Sequence, residues 1–206
     1  MIHAPAQPAR LGILISGRGS NMLALARACE RGSILGDVAL VASNVVDAAG
    51  LPEAQKLGLP TFALDHRGLD RAEFDEQVSA KLQEAGVTMV CLAGYMRLLS
   101  VPFVRQWEGR ILNVHPSLLP AFTGVGAQAQ ALEAGVKVTG CTVHFVDEQL
   151  DHGPVILQEA VPVRDDDTVE TLSDRILAVE HEIYPKAVAL VAAGRVRVEG
   201  RRVVLA

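Results

Sequence analysis

The sequence predicts an α/β fold: one open, mostly parallel sheet with helices on both faces and an antiparallel strand pair near the C-terminus. Three observations predict it. Short, wholly apolar runs recur through the first half of the chain. Stretches rich in helix formers separate them. Past residue 135 the alternation gives way to two β-rich runs joined by a short acidic turn. Strands without polar alternation are buried on both faces, as in a parallel sheet between two helical layers.

The elements follow in order. LGILI, residues 11–15, is a strand that stops at SGRGSN, and residues 21–30 continue as a helix. VALVAS, 38–43, is the second strand, followed by a helix over 47–57, and PTFAL, 60–64, is the third. Asp70 with Glu73 three residues on reads as a capping box. Phe74, Val78 and Leu82 then recur at helical spacing, and Gly86 closes that helix. TMVCLAG, 88–94, and RILNVH, 110–115, are the fourth and fifth strands. GCTVHFV and GPVILQEAVPV form the antiparallel pair. Asp165, Asp166 and Asp167 precede Thr168 and suit a helix N-terminus. That helix runs toward Gly194, with a kink expected at Pro185. VRVEGRRVVLA reads as a hairpin turning near Glu199 and Gly200. The whole is a Rossmann-like sheet. Residues 1–9 read as a loose leader and 10–206 as one domain, with no repeat or linker dividing it.

With 206 residues, half of them hydrophobic and 4% aromatic, the chain can bury a full, mainly aliphatic core. A net charge of −5 argues against nucleic acid as a partner, because phosphate neutralisation needs clustered Lys and Arg. A small anion needs only a few local donors. Cys29, Cys91 and Cys141 are far apart and lack metal-ligand spacing, so they read as buried thiols of a cytoplasmic protein. No apolar run is long enough to span a membrane, and the proline-bearing N-terminus does not resemble a signal peptide.

Four stretches are candidate sites. SGRGSN, 16–21, joins a strand to a helix, so its glycines and the free N–H groups behind them can cradle a phosphate. It is neither a P-loop nor the dinucleotide fingerprint, and a ligand-free tight turn explains the glycines equally well. Asn113 and His115 share a parity at the carboxyl end of the fifth strand, where ligands of such sheets sit. An amide beside an imidazole can hold a carbonyl oxygen that becomes an oxyanion. In VHFVDEQLDHGP, 143–154, His144 lies on one strand face with Thr142, and Asp147, Glu148 and Asp151 fill the turn. A carboxylate folding back on His115 would favour imidazolium and raise its pKa, and Asp151 is the best placed. A metal set of His115, His144 and Asp151 matches no known ligand spacing. Tyr95, Met96, Arg97, Leu98 and Leu99 follow the fourth strand and read as a rim for an apolar, planar ligand or as a cover for the core.

These motifs together resemble the phosphoribosylglycinamide formyltransferases, folate-dependent members of the formyltransferase family. The resemblance runs from ILISGRGSN to VEHEIYP, and is most specific in NVHPSLLP followed by GCTVHFVDEQLDHGPVILQEAVPV. It implies 10-formyltetrahydrofolate as co-substrate, a phosphorylated ribonucleotide as acceptor, and no metal. It implies catalytic roles for His115, Asn113 and Asp151, with His144 an active-site neighbour. Gly19, Ser20, Asn21 and Glu180 match the ribonucleotide side. Arg71, Met96, Arg97, Leu98, Leu99 and Asn113 match the folate side. After LLP the chain departs from the family, since Gly126, Ala127, Gln128 and Ala129 stand where histidines and a charged residue are usual. Gly124 and Gly126 in AFTGVGAQAQAL point to a mobile loop. A formyltetrahydrofolate hydrolase and a catalytically silent nucleotide-binding module are the alternatives, and a homodimer is compatible with the sequence.

Overall fold

A computed structural model describes residues 8–205. Residues 1–7 of the expected leader lie outside the described residues. The strand begins earlier than expected, since Ala9 is buried within it. In chain order the elements are β1 (Ala9–Ile15), α1 (Ser20–Glu30), β2 (Gly36–Ser43), α2 (Gly50–Lys56), β3 (Thr61–Ala63), α3 (Arg71–Glu84), β4 (Met89–Leu92), α4 (Val101–Gln106) and β5 (Ile111–His115). There follow α5 (Ala127–Glu133), β6 (Val138–Phe145), β7 (Val155–Pro162), α6 (Val169–Ala192), β8 (Val196–Glu199) and β9 (Arg202–Leu205).

All nine strands join one sheet in the order β3-β2-β1-β4-β5-β6-β7-β9-β8. The first five are mutually parallel. β6 runs antiparallel to β5 and to β7, as the change of pattern predicted. The order reverses at β1, which has β2 on one side and β4 on the other. The crevice of such a sheet opens at the carboxyl ends of those strands. It falls where SGRGSN leaves β1 and GYMRLL leaves β4.

Two hydrophobic clusters cover the two faces. Leu11, Ile13 and Ile15 pack with residues of α1 and α6, while Leu14, Val90 and Leu92 pack with Phe74, Val78 and Leu82 of α3 and Trp107 after α4. Both parities of β1 are therefore buried, which is why the run has no polar alternation. Each buried Leu- or Phe-sized side chain contributes about 2–3 kcal/mol. Gly12 is required by this packing, because a Cβ there would lie 2.4 Å from Leu82 Cδ2.

Two short helices, α4 and α5, were not anticipated. Each spans fewer than two full turns, too short to show a period. The second begins just after the two glycines of AFTGVGAQAQAL, which lie in the loop before it. Gly126 caps α5 at φ 75°, and Ala127 is buried in its first turn. Only half of the capping box at α3 forms, with Asp70 accepting from the Ala72 N–H at 2.8 Å. The full reciprocal box occurs instead at Thr168 and Thr171, at the start of α6. Pro185 lies inside α6, which continues as one helix through it.

Candidate active site

β5 carries Asn113 and His115 to its carboxyl end, and β6 lies alongside with His144 opposite Asn113 and Thr142 opposite His115. The His115 ring is buried, and its Nε2–H donates to the Phe122 carbonyl at 2.8 Å. Its Nδ1 lies 3.5 Å from Asp151 Oδ2, with both side chains 7% exposed. Both ring nitrogens therefore face oxygens that can only accept. Asp151 is itself held, because its Oδ2 accepts from the Gly124 N–H at 2.8 Å.

His144 is the other tautomeric case. Its Nδ1–H donates to the Phe145 carbonyl at 2.8 Å. Burial lowers its pKa below the usual histidine range, against a smaller opposing effect of that hydrogen bond and of Asp151. The ring is thus neutral, with an Nε2 lone pair that accepts from Asn113 Nδ2 at 3.2 Å. His144 orients the Asn113 amide and leaves one of its N–H bonds free for a ligand.

The turn after β5 is tied to β6. Thr142 donates to the Ser117 carbonyl at 2.6 Å and accepts from the Leu119 N–H at 3.0 Å. The Leu119–Pro120 bond is cis. Phe122 and Asp151, which flank the imidazole, are the two non-glycine residues with positive φ among the described residues, at 53° and 50°. Such conformations cost free energy, and they cluster where surroundings enforce them.

On the β1 side, Gly19 at φ 73° caps α1, and Ser20 opens the helix with its first-turn N–H groups. A Cβ at Gly19 would lie 3.0 Å from Gly50 Cα. The Asn21 side chain turns away from the loop. It is buried and donates through Nδ2 to Glu180 Oε2 at 2.7 Å. Burial raises the Glu180 pKa to about 7 despite that hydrogen bond. On the β4 side, Met96 and Leu98 are 73% and 52% exposed, while Leu99 packs against the second core. The Arg97 guanidinium lies over the Phe74 ring at 4.8 Å. Arg71 is exposed at the start of α3 and forms no ion pair among the described residues.

A formyl transferase family model matches residues 9–188. The chain is 52% identical over 198 residues to the trifunctional purine biosynthetic protein adenosine-3 of Bos taurus, covering 95% of this chain and 20% of that protein. The chain thus spans about a fifth of the length of that relative. It is 42% identical over 186 residues to the phosphoribosylglycinamide formyltransferase of Escherichia coli, covering 90% of this chain and 88% of the relative. The chain belongs to the phosphoribosylglycinamide formyltransferase family. Its structure superposes on glycinamide ribonucleotide transformylase 1 from Symbiobacterium toebii with a TM-score of 0.96 and 51% identity, over 100% of this chain and 97% of that one.

The family match includes every candidate residue named above. The structure joins His115, Asp151, His144 and Asn113 in one network and Asn21 with Glu180 in a second. Sequence reasoning missed Phe122 and Gly124, which contribute only backbone groups and so leave no side-chain signature. Among the described residues, no group of three or more His, Cys, Asp or Glu is arranged to hold a metal ion. Cys29, Cys91 and Cys141 are free thiols, and burial raises the pKa of each, to about 11 for Cys29 and about 12 for the other two. No helix among the described residues is long and apolar enough to cross a membrane.

Proposed function

We propose that this chain transfers the formyl group of 10-formyltetrahydrofolate to the glycinamide amine of N1-(5-phospho-D-ribosyl)glycinamide, in de novo purine biosynthesis. The observation that carries the proposal is a buried imidazole with an acceptor at each nitrogen, beside an amide with a free N–H. When the amine attacks the formyl carbon, negative charge develops on the formyl oxygen. Asn113 offers its free N–H to that oxygen. His115 exchanges the neutral Phe122 carbonyl for the oxyanion, a stronger charge-assisted acceptor. That donor is worth more in the transition state than in the ground state, which is the condition for catalysis. Each such donor lowers the barrier by about 3 kcal/mol. Asp151 holds the His115 ring in orientation. As the tetrahedral centre collapses, the bond from carbon to the folate N10 breaks. The attacking nitrogen loses a proton and the departing folate nitrogen gains one, with His115 as the carrier.

The remaining residues suit the two substrates. Gly19 and the N–H groups at Ser20 hold the phosphate, and Asn21 sets Glu180 near the glycinamide amine. Met96, Leu98 and Leu99 offer an apolar rim to the pteridine. Arg71 and Arg97 supply cations for the carboxylates of the folate tail. Neither nucleic acid nor membrane is a partner in this reading, and a cytoplasmic location and a homodimer complete it. The test follows absorbance of 10-formyltetrahydrofolate with and without the ribonucleotide. Turnover only with the ribonucleotide is expected. Turnover without it would replace transfer by hydrolysis, and binding of folate with no turnover would leave a silent module.

A further inference from the structure

The two candidate substrate loops meet at Ser16, the first residue of SGRGSN and one to which no role has yet been given. Ser16 directly follows β1 and opens the stretch whose Gly19, Ser20 and Asn21 are assigned to the ribonucleotide. Its backbone N–H donates to the Gly94 carbonyl at 3.2 Å. Its hydroxyl accepts from the Met96 N–H at 2.7 Å, at the first residue of the segment assigned to the folate. The hydroxyl proton is committed elsewhere: it goes to Asn44 Oδ1 at 2.6 Å. A serine hydroxyl has one proton, so this bond directs a lone pair at Met96. Asn44 is buried and fixed in turn, since its backbone carbonyl contacts His66 Nδ1 at 2.8 Å.

The contacts close on themselves. His66 meets the Phe74 ring edge-on with centroids 6.5 Å apart, and the Arg97 guanidinium covers Phe74. A chain of contacts therefore leaves Met96 through Ser16, Asn44, His66 and Phe74 and returns to Arg97, the next residue. The phosphate side has its own anchor, with Gly17 O accepting from the Gly50 N–H at 2.9 Å. By contrast, Met96 and Leu98 are largely exposed. Their side chains do little to fix the segment, so the backbone bond at Met96 carries much of that task.

We propose that Ser16 is a positioning residue of the transfer: its hydroxyl fixes the folate-lining segment against the phosphate-side loop, so that each substrate favours binding of the other. This rests on the assignment of the two loops to the two substrates. Coupling between two sites is reciprocal, so either ligand can report it. The experiment titrates tetrahydrofolate into the full chain by calorimetry, with and without the glycinamide ribonucleotide, and measures KM and kcat for transfer. It uses the parent, Ser16→Ala and Ser16→Thr. The Ala variant removes one oxygen and leaves the Met96 N–H without its acceptor. It is expected to raise the folate KM about tenfold, the loss that one such bond implies. Its kcat stays near that of the parent, and the tightening of tetrahydrofolate by the ribonucleotide disappears. The Thr variant, which keeps the hydroxyl, restores both. An Ala variant with parental KM and parental coupling overturns the proposal. So does a parent without coupling, or an Ala variant whose folate affinity and kcat fall in step with its Tm and are not restored by Thr. A parent that couples the two ligands in calorimetry yet transfers no formyl group would overturn the reaction and leave the role of Ser16 standing.

Discussion

The imidazole pocket and the segment after β4 that is proposed to line the folate sit at the ends of adjacent strands and are built in opposite ways. At the end of β5, His115, Asp151 and His144 are almost fully buried, and each ring nitrogen faces a fixed partner. Beyond β4, Met96 and Leu98 lie open, and the segment is tied through backbone bonds. The difference separates two tasks. Groups that handle charge in the transition state must not reorganise when the charge appears, so they are locked in advance. Groups that meet an apolar ring gain by losing water on contact, so they are left exposed until it arrives.

The largest break in this contrast is His115→Ala. Loss of the oxyanion donor should lower kcat by about 10²–10³-fold. Calorimetric affinity for tetrahydrofolate should stay within a few-fold, because the proposed function rests that ligand mainly on the other region. A variant with full turnover would remove the imidazole from the mechanism.

Glu180 sharpens the same contrast through pH. Its folded pKa of about 7 lies above the ordinary 4.5. Between those values the folded chain keeps a proton that the unfolded chain has released. Stability from this group is thus complete below pH 4.5 and is lost as pH rises through 7. The shift amounts to a loss on the order of 3 kcal/mol. Urea unfolding of Glu180→Gln should show a flatter dependence between pH 5 and 8, in buffers of roughly matched ionic strength. An identical slope in parent and variant would show that the carboxyl does not carry this proton.

The smallest expected effect is at the open rim. Met96→Ala should raise the folate KM a few-fold, with kcat unchanged and stability within about 0.5 kcal/mol of the parent. A loss of stability above about 2 kcal/mol would mean that the side chain is packed rather than waiting for a ligand.

The sequence was legible where local pattern and final structure agree. Continuous apolar runs marked β1, β2, β4 and β5, and the parity of Asn113 and His115 marked the site, because both signals need only neighbouring residues. α4 and α5 were not legible, since their few residues show no period. The partners of His115 were partly so. Asp151 stands out as a carboxylate near a turn, whereas Phe122 contributes a carbonyl that any residue has. Asn21 read as part of the phosphate loop, because nothing near it in sequence reveals that its amide is committed to Glu180.

That last pair joins residues 159 positions apart. An N-terminal fragment emerging from the ribosome carries Asn21 without its carboxylate. Translation at about 5–20 residues per second separates the two by roughly ten seconds or more. The bond between Asn21 and Glu180 therefore forms only once α6 has been made. A chain truncated before α6 would keep the glycine-rich turn and lack the buried acid that its Asn21 amide is built to meet.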